Sequence, residues 1–280
     1  MTNFFRRTVT GAFVVILVLG GLWLHPVSFF LVGAVIIAGT QREYYIMVRS
    51  TGVRPQMAAG IISGFILYLT STMIALGWLP RSAFLFLFPL VSLVMVTELF
   101  RKAERPFDSL AHTFFSILYT AIPFSLFPFA AFNREGLAPL VSMEGIAFSP
   151  AILIGFFILL WTNDTGAYLV GSSMGKHPLF ERISPRKSWE GFFGGLIMTM
   201  LVSLLLPGWL GLTDATGWMI IAVIISFTGT LGDLVESMLK RSLGLKDSGT
   251  ILPGHGGFLD RFDSVVMAFP LVYLYLEFAG

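Results

Sequence analysis

The chain has 280 residues, 55% of them hydrophobic and 12% charged, with a mean hydropathy of +0.82. A soluble domain typically carries about 25% charged residues, so half that density together with 28 Phe excludes an ordinary soluble enzyme and indicates a polytopic membrane protein. The absence of cysteine excludes disulfides, thiolate metal sites and cysteine nucleophiles, and the net charge of +2 informs only through its distribution.

Met1 to Thr10 is a short polar head with Arg6 and Arg7. The first apolar run spans about Gly11 to Leu24, and His25-Pro26 after it reads as a tight turn rather than a signal-peptide cleavage site. A second run, about Val27 to Ala38, ends in the polar patch Gln41-Arg42-Glu43. A third spans about Met57 to Leu79 and a fourth about Ala83 to Val96. The segment Arg101-Lys102-Ala103-Glu104-Arg105-Pro106 is the first plain break. A fifth run, about Leu110 to Phe132, carries Pro123 and Pro128 as expected kinks, and the longest loop, Asn133 to Ser149, follows it. The sixth run covers about Pro150 to Val170, the seventh Gly191 to Leu210, the eighth Trp218 to Val235 and the ninth Val265 to Phe278. Several are shorter than the ~20 residues a spanning helix needs, and flanking polar or aromatic residues extend them.

The expected fold is therefore all-α, a polytopic integral membrane protein of about nine transmembrane helices with a cytoplasmic N-terminus. The distribution of charge tests that count. With nine spans, Arg81 and Arg134 are the two of the 18 Lys and Arg on the outer side, and the other 16 are cytoplasmic, as the positive-inside rule requires. The expected organisation is helices 1–4 in residues 1–100, a linker, helix 5 and outer loop in 101–149, and catalytic helices 6–9 with their cytoplasmic loops in 150–280.

Intramembrane acids mark functional sites by default. Asp164 falls near the cytoplasmic end of the sixth run, Glu190 before the seventh, Asp233 and Glu236 at the end of the eighth, and Asp260 and Asp263 before the ninth. The topology brings all six to one side of the membrane. Asp233, Glu236, Ser237 and Lys240 fall at i, i+3, i+4 and i+7, on one helix face. Asp260 and Asp263 share a face in the same way, so two neighbouring helices can hold one or two metals between them. In the loop after the sixth run, Asp164 and Tyr168 share a face with Asn163 one step round, and Lys176, Arg186 and Lys187 are cations at the interface. Ser188-Trp189-Glu190-Gly191 reads as a helix start, with Glu190 either a first-turn capping acid or part of the site. Gly191, Gly194 and Gly195 read as helix contacts, and Glu43 is left outside the core site.

The stretch Ser237 to Asp263 is the densest in charge. It carries Lys240, Arg241, Lys246 and Arg261, the carboxylates Asp247, Asp260 and Asp263, and the turn-rich run Pro253-Gly254-His255-Gly256-Gly257. Glycines let backbone N–H groups approach phosphates, Lys and Arg neutralise them, and carboxylates carry a hard divalent cation. The chemistry indicated is a polyphosphate held by cations and a metal. A structural alternative neutralises Asp233 or Asp260 by an ion pair with Arg261 or Lys240, and His255 by itself serves to orient the loop.

The stretch resembles the signature of the phosphatidate cytidylyltransferase (CDP-diacylglycerol synthase) family. Ser237, Lys240, Arg241, Lys246, Asp247, His255, Gly256, Gly257, Asp260, Arg261 and Asp263 fall in that order and spacing without a departure. The loop after the sixth run resembles two shorter elements of the same family, one at Asp164-Thr165-Gly166-Ala167-Tyr168 and one at Ser184 to Gly191, where Arg186 stands in place of the commoner lysine.

The resemblance implies a reaction of CTP with phosphatidate to give CDP-diacylglycerol and pyrophosphate, at the cytoplasmic face of the inner membrane. It implies Mg²⁺, with a second cation allowed, on Asp233, Asp260 and Asp263, and phosphates clamped by Lys240, Arg241, Lys246 and Arg261. Substrate contacts fall to Asp164, Tyr168, Lys176, Arg186, Lys187, Ser237, Asp247, His255, Gly256 and Gly257. The partners implied are CTP, phosphatidate and the surrounding lipids, with no nucleic acid; a homodimer is compatible. Two other readings remain open: a CTP-dependent kinase acting on a polyprenol, and a cation-coupled transporter using the same acids as an ion path.

Overall fold

The computed structural model describes residues 3–132, 141–143, 146–210, 214–249 and 257–279. Its contacts divide into two compact units, Met1–Asn133 with Ser242–Phe262, and Arg134–Arg241 with Asp263–Gly280.

The first unit is built on α1 (Asn3–Leu24), α2 (Pro26–Arg49) and α3 (Met57–Ala75). The expected turn at His25 is a helix cap. Its Nδ1 accepts the Val27 N–H, and Ser28 Oγ lies 3.1 Å from the His25 N–H, which starts α2 one residue later at Pro26. Helix α2 does not stop at Ala38 but runs on through Gln41-Arg42-Glu43 to Arg49. The polar patch stays helical because its neighbours satisfy it. Gln41 Nε2 donates to the Gly60 carbonyl at 3.3 Å, and Tyr45 Oη donates to the Thr113 carbonyl at 3.0 Å. Glycines at 33, 60 and 64 on the facing surfaces leave no room for a side chain, since a Cβ there would collide with Tyr68, Tyr45 and Gln41.

The fourth run begins as a 3₁₀ turn, Arg81–Phe86, before α4 (Leu87–Arg101). The fifth is divided into α5 (Pro106–Ser116), a π-helical turn Ile117–Ala121, α6 (Ile122–Ser125) and α7 (Phe127–Ala131). The expected disturbance at Pro123 and Pro128 is thus present, and it spreads upstream because a proline removes the N–H that the preceding turn would use.

In the second unit, β1 (Val141–Met143) and β2 (Ile146–Phe148) form an antiparallel pair with Val141 opposite Phe148 and Met143 opposite Ile146. Part of the expected long loop is therefore a hairpin, and residues 133–140 and 144–145 lie outside the described residues. Helix α8 (Ala151–Met174) is followed by a second antiparallel pair, β3 (Pro178–Phe180) with β4 (Ser184–Ser188). Then come α9 (Trp189–Ser203), α10 (Leu206–Leu210), α11 (Ala215–Ser242) and α12 (Leu259–Ala279), the last of which begins in the first unit's segment. Phe156 meets Phe269 edge to face at 5.1 Å, and Phe192 meets Phe227 at 5.0 Å.

Five helical segments among the described residues are long and apolar enough to cross a membrane: Met57–Ala75, Arg81–Arg101, Pro106–Ala131, Ala151–Met174 and Ala215–Ser242. They correspond to five of the nine expected runs. Val15–Leu24 and Trp189–Ser203 are apolar but shorter, while α2 and α12 carry charged residues into the helix. The fold is that of an all-α integral membrane protein.

Candidate functional site

The second unit holds a cleft of about 760 Å³, and five of the candidate site residues line it: Asp164, Tyr168, Arg186, Lys187 and Asp233. Three features of the chain shape it. The first is close packing of α8 against α9. A Cβ on Gly191 would stand 2.8 Å from the Ala167 carbonyl, and one on Gly195 2.8 Å from the Asn163 carbonyl. The reading of Gly191 and Gly195 as helix contacts is therefore correct, and only glycine permits that approach.

The second feature is the β3–β4 hairpin, which carries Arg186 and Lys187 to the cleft. The start of α9 fastens it. Ser188 caps the helix by accepting the Gly191 N–H at 3.1 Å, as its N-cap residue type favours. Glu190 Oε2 accepts the N–H groups of Lys176 and His177 at 3.1 and 3.3 Å, and Oε1 meets His177 Nδ1 at 2.6 Å. These contacts lower the Glu190 carboxyl from its ordinary 4.5 to about 2, the His177 ring contributing most. Glu190 is thus the hairpin's fastening.

The third feature is Gly232 on α11. A Cβ there would stand 2.7 Å from the Asp263 carbonyl, so the two helix backbones touch at this level. That contact sets Asp233 beside Asp263. Asp263 is half-buried and lies within electrostatic reach of Asp233, Glu236 and Asp164. Four of the six expected acids therefore converge in this one unit.

Cations answer them in a pattern that spacing could not give. Lys187 Nζ sits 2.7 Å from Asp233 Oδ2, and Ser237 Oγ donates to Asp233 Oδ1 at 3.3 Å. Lys240 pairs with Glu236, one turn earlier on α11. The structural alternative pairs Asp233 or Asp260 with Lys240 or Arg261; for Asp233 the partner is Lys187, 46 residues away in sequence and brought in by the hairpin. Glu236 is 1% exposed while the Asp233 side chain is 37% exposed. The first pair is sealed, and the second opens on the cleft.

The remaining expected residues are placed as follows. Arg241 is exposed at the end of α11, and Lys176 is exposed between α8 and the hairpin and is not among the residues lining the cleft. In the first unit's segment, Lys246, Asp247 and Arg261 are exposed. Asp260 Oδ2 accepts the N–H groups of Gly257 and Ser248, at 2.8 and 3.3 Å. Gly257 is buried, and a Cβ on it would collide with Ser248 Oγ and Glu43 Oε2. His255 and Gly256 lie outside the described residues.

Sequence reasoning passed over Thr230 and Ser172, which also line the cleft. Thr230 could have been found, since it precedes Asp233 by three residues on the same helix face. Ser172 gave no signal in a stretch of small residues.

The donor set suits a hard cation. Magnesium is typically held by one or two carboxylates together with waters and substrate phosphates, and Asp233 with Asp263 supplies that number. No cluster of three or more His, Cys, Asp or Glu arranged to hold a metal occurs among the described residues.

Fold and site together define an integral membrane protein with a cleft lined by both acids and cations, a combination suited to metal-assisted phosphate chemistry. The chain belongs to the cytidylyltransferase family, whose pattern it matches over residues 5–279. It is similar to proteins named phosphatidate cytidylyltransferase from Staphylococcus saprophyticus (52% identical), Staphylococcus aureus (50%) and Staphylococcus epidermidis (49%). Each match runs over 122 residues, 43% of this chain and 46% of the relative. The matched stretch thus spans about half the length of these relatives.

Proposed function

We propose that the chain is a membrane nucleotidyltransferase that makes CDP-diacylglycerol and pyrophosphate from CTP and phosphatidate. The observation that carries the reading is the cleft where Lys187 faces Asp233 beside Asp263, on a chain of the cytidylyltransferase family. A phosphate oxygen of phosphatidate attacks the α-phosphorus of CTP. The bond from that phosphorus to the oxygen bridging the β-phosphate breaks, and pyrophosphate leaves with the electron pair. The attacking phosphate is ionised near neutral pH, so the step needs charge neutralisation and alignment more than a strong base.

The charged side chains in and beyond the cleft divide the tasks of that step. Lys187 and Arg186 bind and orient phosphate oxygens. Lys187 can turn from Asp233 to an arriving phosphate because the pair is open to solvent, where such pairs are weak. Lys240, held in place by Glu236, keeps positive charge at the end of α11, with Arg241 beside it. Lys246 and Arg261 are proposed as further phosphate contacts, and Tyr168 and Asp164 as contacts along the cleft wall. A magnesium ion would be held by Asp233 and Asp263. Asp260 is retained as a third ligand because i, i+3 spacing puts it on one face of α12 with Asp263. When bound, the ion supplies charge neutralisation at the phosphates. We place the site at the cytoplasmic face of the cytoplasmic membrane, since 16 of the 18 Lys and Arg then lie inside.

The test is pyrophosphate release from CTP by detergent-purified protein. It should require phosphatidate and leave a CDP-lipid. Release from CTP alone, or transfer of the γ-phosphate to a polyprenol, would overturn the reading, the second in favour of the kinase.

A further inference from the structure

Glu43 has no part in the cleft, yet it is buried in the first unit against the charged stretch. Its residue is 2% exposed on α2. Glu43 Oε2 accepts the N–H of Leu259 at 2.8 Å and the hydroxyl of Ser248 at 3.3 Å. These partners stand 205 and 216 residues further along the chain. They flank the turn-rich part of the charged stretch. Two glycines make room for the carboxylate. A Cβ on Gly249 would stand 2.8 Å from Oε1, and one on Gly257 would collide with Oε2. Glu43 Oε1 is buried and has no hydrogen-bond partner among the described residues.

Asp260 holds Ser248 as well, through its N–H, and takes the N–H of Gly257 rather than that of Leu259. The base of the loop is therefore closed twice, once by a carboxylate at the start of α12 and once by a carboxylate from α2. The two grips share Ser248, so they are coupled: if Glu43 lets go of Ser248 and Leu259, Asp260 is left to hold the base alone. A buried carboxylate oxygen with no hydrogen-bond partner among the described residues is costly.

We propose that Glu43 is a positioning residue for Asp260: by holding Ser248 and Leu259 it sets the orientation of the carboxylate that follows Leu259 on α12. The kinetic part of this proposal rests on the nucleotidyltransferase reading; the anchoring part does not. Glu43 touches no reacting atom, and its effect passes through Ser248, Gly257 and Leu259. A carboxamide keeps an oxygen to accept from Leu259 and Ser248, whereas alanine keeps nothing.

The experiment compares Glu43→Ala, Glu43→Gln and Ser248→Ala in the full chain in lipid nanodiscs, by backbone amide exchange and by steady-state kinetics with CTP. Glu43→Ala should speed exchange of the 248–259 segment's Ser248, Gly257 and Leu259 amides about tenfold, the factor that loss of one or two hydrogen bonds gives, while exchange in α3 and α8 stays as in the parent. Its KM for CTP should rise about tenfold with kcat within about threefold. Glu43→Gln should restore most of both. Ser248→Ala, which loses only the hydroxyl contact, should show about a threefold effect on each and carries the test if Glu43→Ala does not fold. Unchanged exchange in the segment overturns the anchoring. Faster exchange with unchanged KM in a protein that still turns over CTP overturns the positioning role alone. A protein with no activity in any form, but with the exchange pattern described, sustains the anchoring and counts against the nucleotidyltransferase reading instead.

Discussion

Glu43 and Glu98 in the first unit and Asp164 and Asp233 in the second put the same carboxylate group to opposite ends. In the first, Glu43 and Glu98 are 2% and 4% exposed, and both are spent on structure. Glu98 Oε2 accepts from Gln56 Nε2 at 2.6 Å and pairs with Arg101 at 2.7 Å, while Arg101 also donates to the Arg54 carbonyl. The loop after α2 is thereby tied to α4. In the second, Asp164 is exposed and Asp233 is 37% exposed with Lys187 facing it. The difference is one of freedom. A buried carboxylate persists only if fixed donors satisfy it, so it cannot change partners without loss of stability. A carboxylate at an open cleft can trade a weakly held lysine for an incoming ion or phosphate. Glu236 marks the boundary inside the second unit, since it is buried and bound to Lys240 and so belongs with the structural acids.

That contrast can be broken most directly at Asp233. Asp233→Asn should lower CTP turnover by on the order of 100-fold or more, the scale on which removal of one charge-stabilising group typically acts, with the melting temperature unchanged or raised. A variant that melts well below the parent would move Asp233 to the structural set. Glu98→Ala is the converse. It should destabilise the protein by about 2–3 kcal/mol, because Gln56 and Arg101 lose a charged acceptor, while kcat per folded molecule stays at the parent value. Loss of turnover without loss of stability would erase the distinction between the units.

The smallest expected effect is at Glu190, which lies just before the apolar run of α9. Its carboxyl is lowered to about 2 from an ordinary 4.5. A lowered acid stabilises the folded state fully above the unfolded value, so this contribution is complete above about pH 4.5 and declines as pH falls toward 2. Amide exchange of the β3–β4 hairpin should therefore quicken below pH 4.5 relative to Glu190→Gln, after allowance for the pH dependence of exchange itself. Identical profiles would show that Glu190 does not fasten the hairpin.

Much of this was legible in the chain. The charge depletion required a membrane protein, and five of the nine apolar runs are helical segments long enough to span, because burial of apolar surface and backbone hydrogen bonding are local demands in lipid. The helix start at Ser188 and the i, i+4 contact of Asp233 with Ser237 were legible for the same reason, since a helix fixes which neighbours meet. The continuation of α2 to Arg49 was not, because the partners that keep Gln41 and Tyr45 helical, Gly60 and Thr113, lie in other helices.

By itself, then, the sequence determined the class of fold, the faces on which the acids lie and the chemistry those residue types can perform. Only the tertiary structure decided which acid meets which cation. It joined Lys187 to Asp233 through a hairpin, and it joined Glu43 to Ser248 and Leu259 across more than 200 residues. The physical reason is that a charge acts over a few ångströms of space, whatever its separation along the chain. The approach that brings such charges together rests on glycines such as Gly191, Gly232 and Gly257, whose missing side chains count for something only when a second backbone or side chain fills the gap.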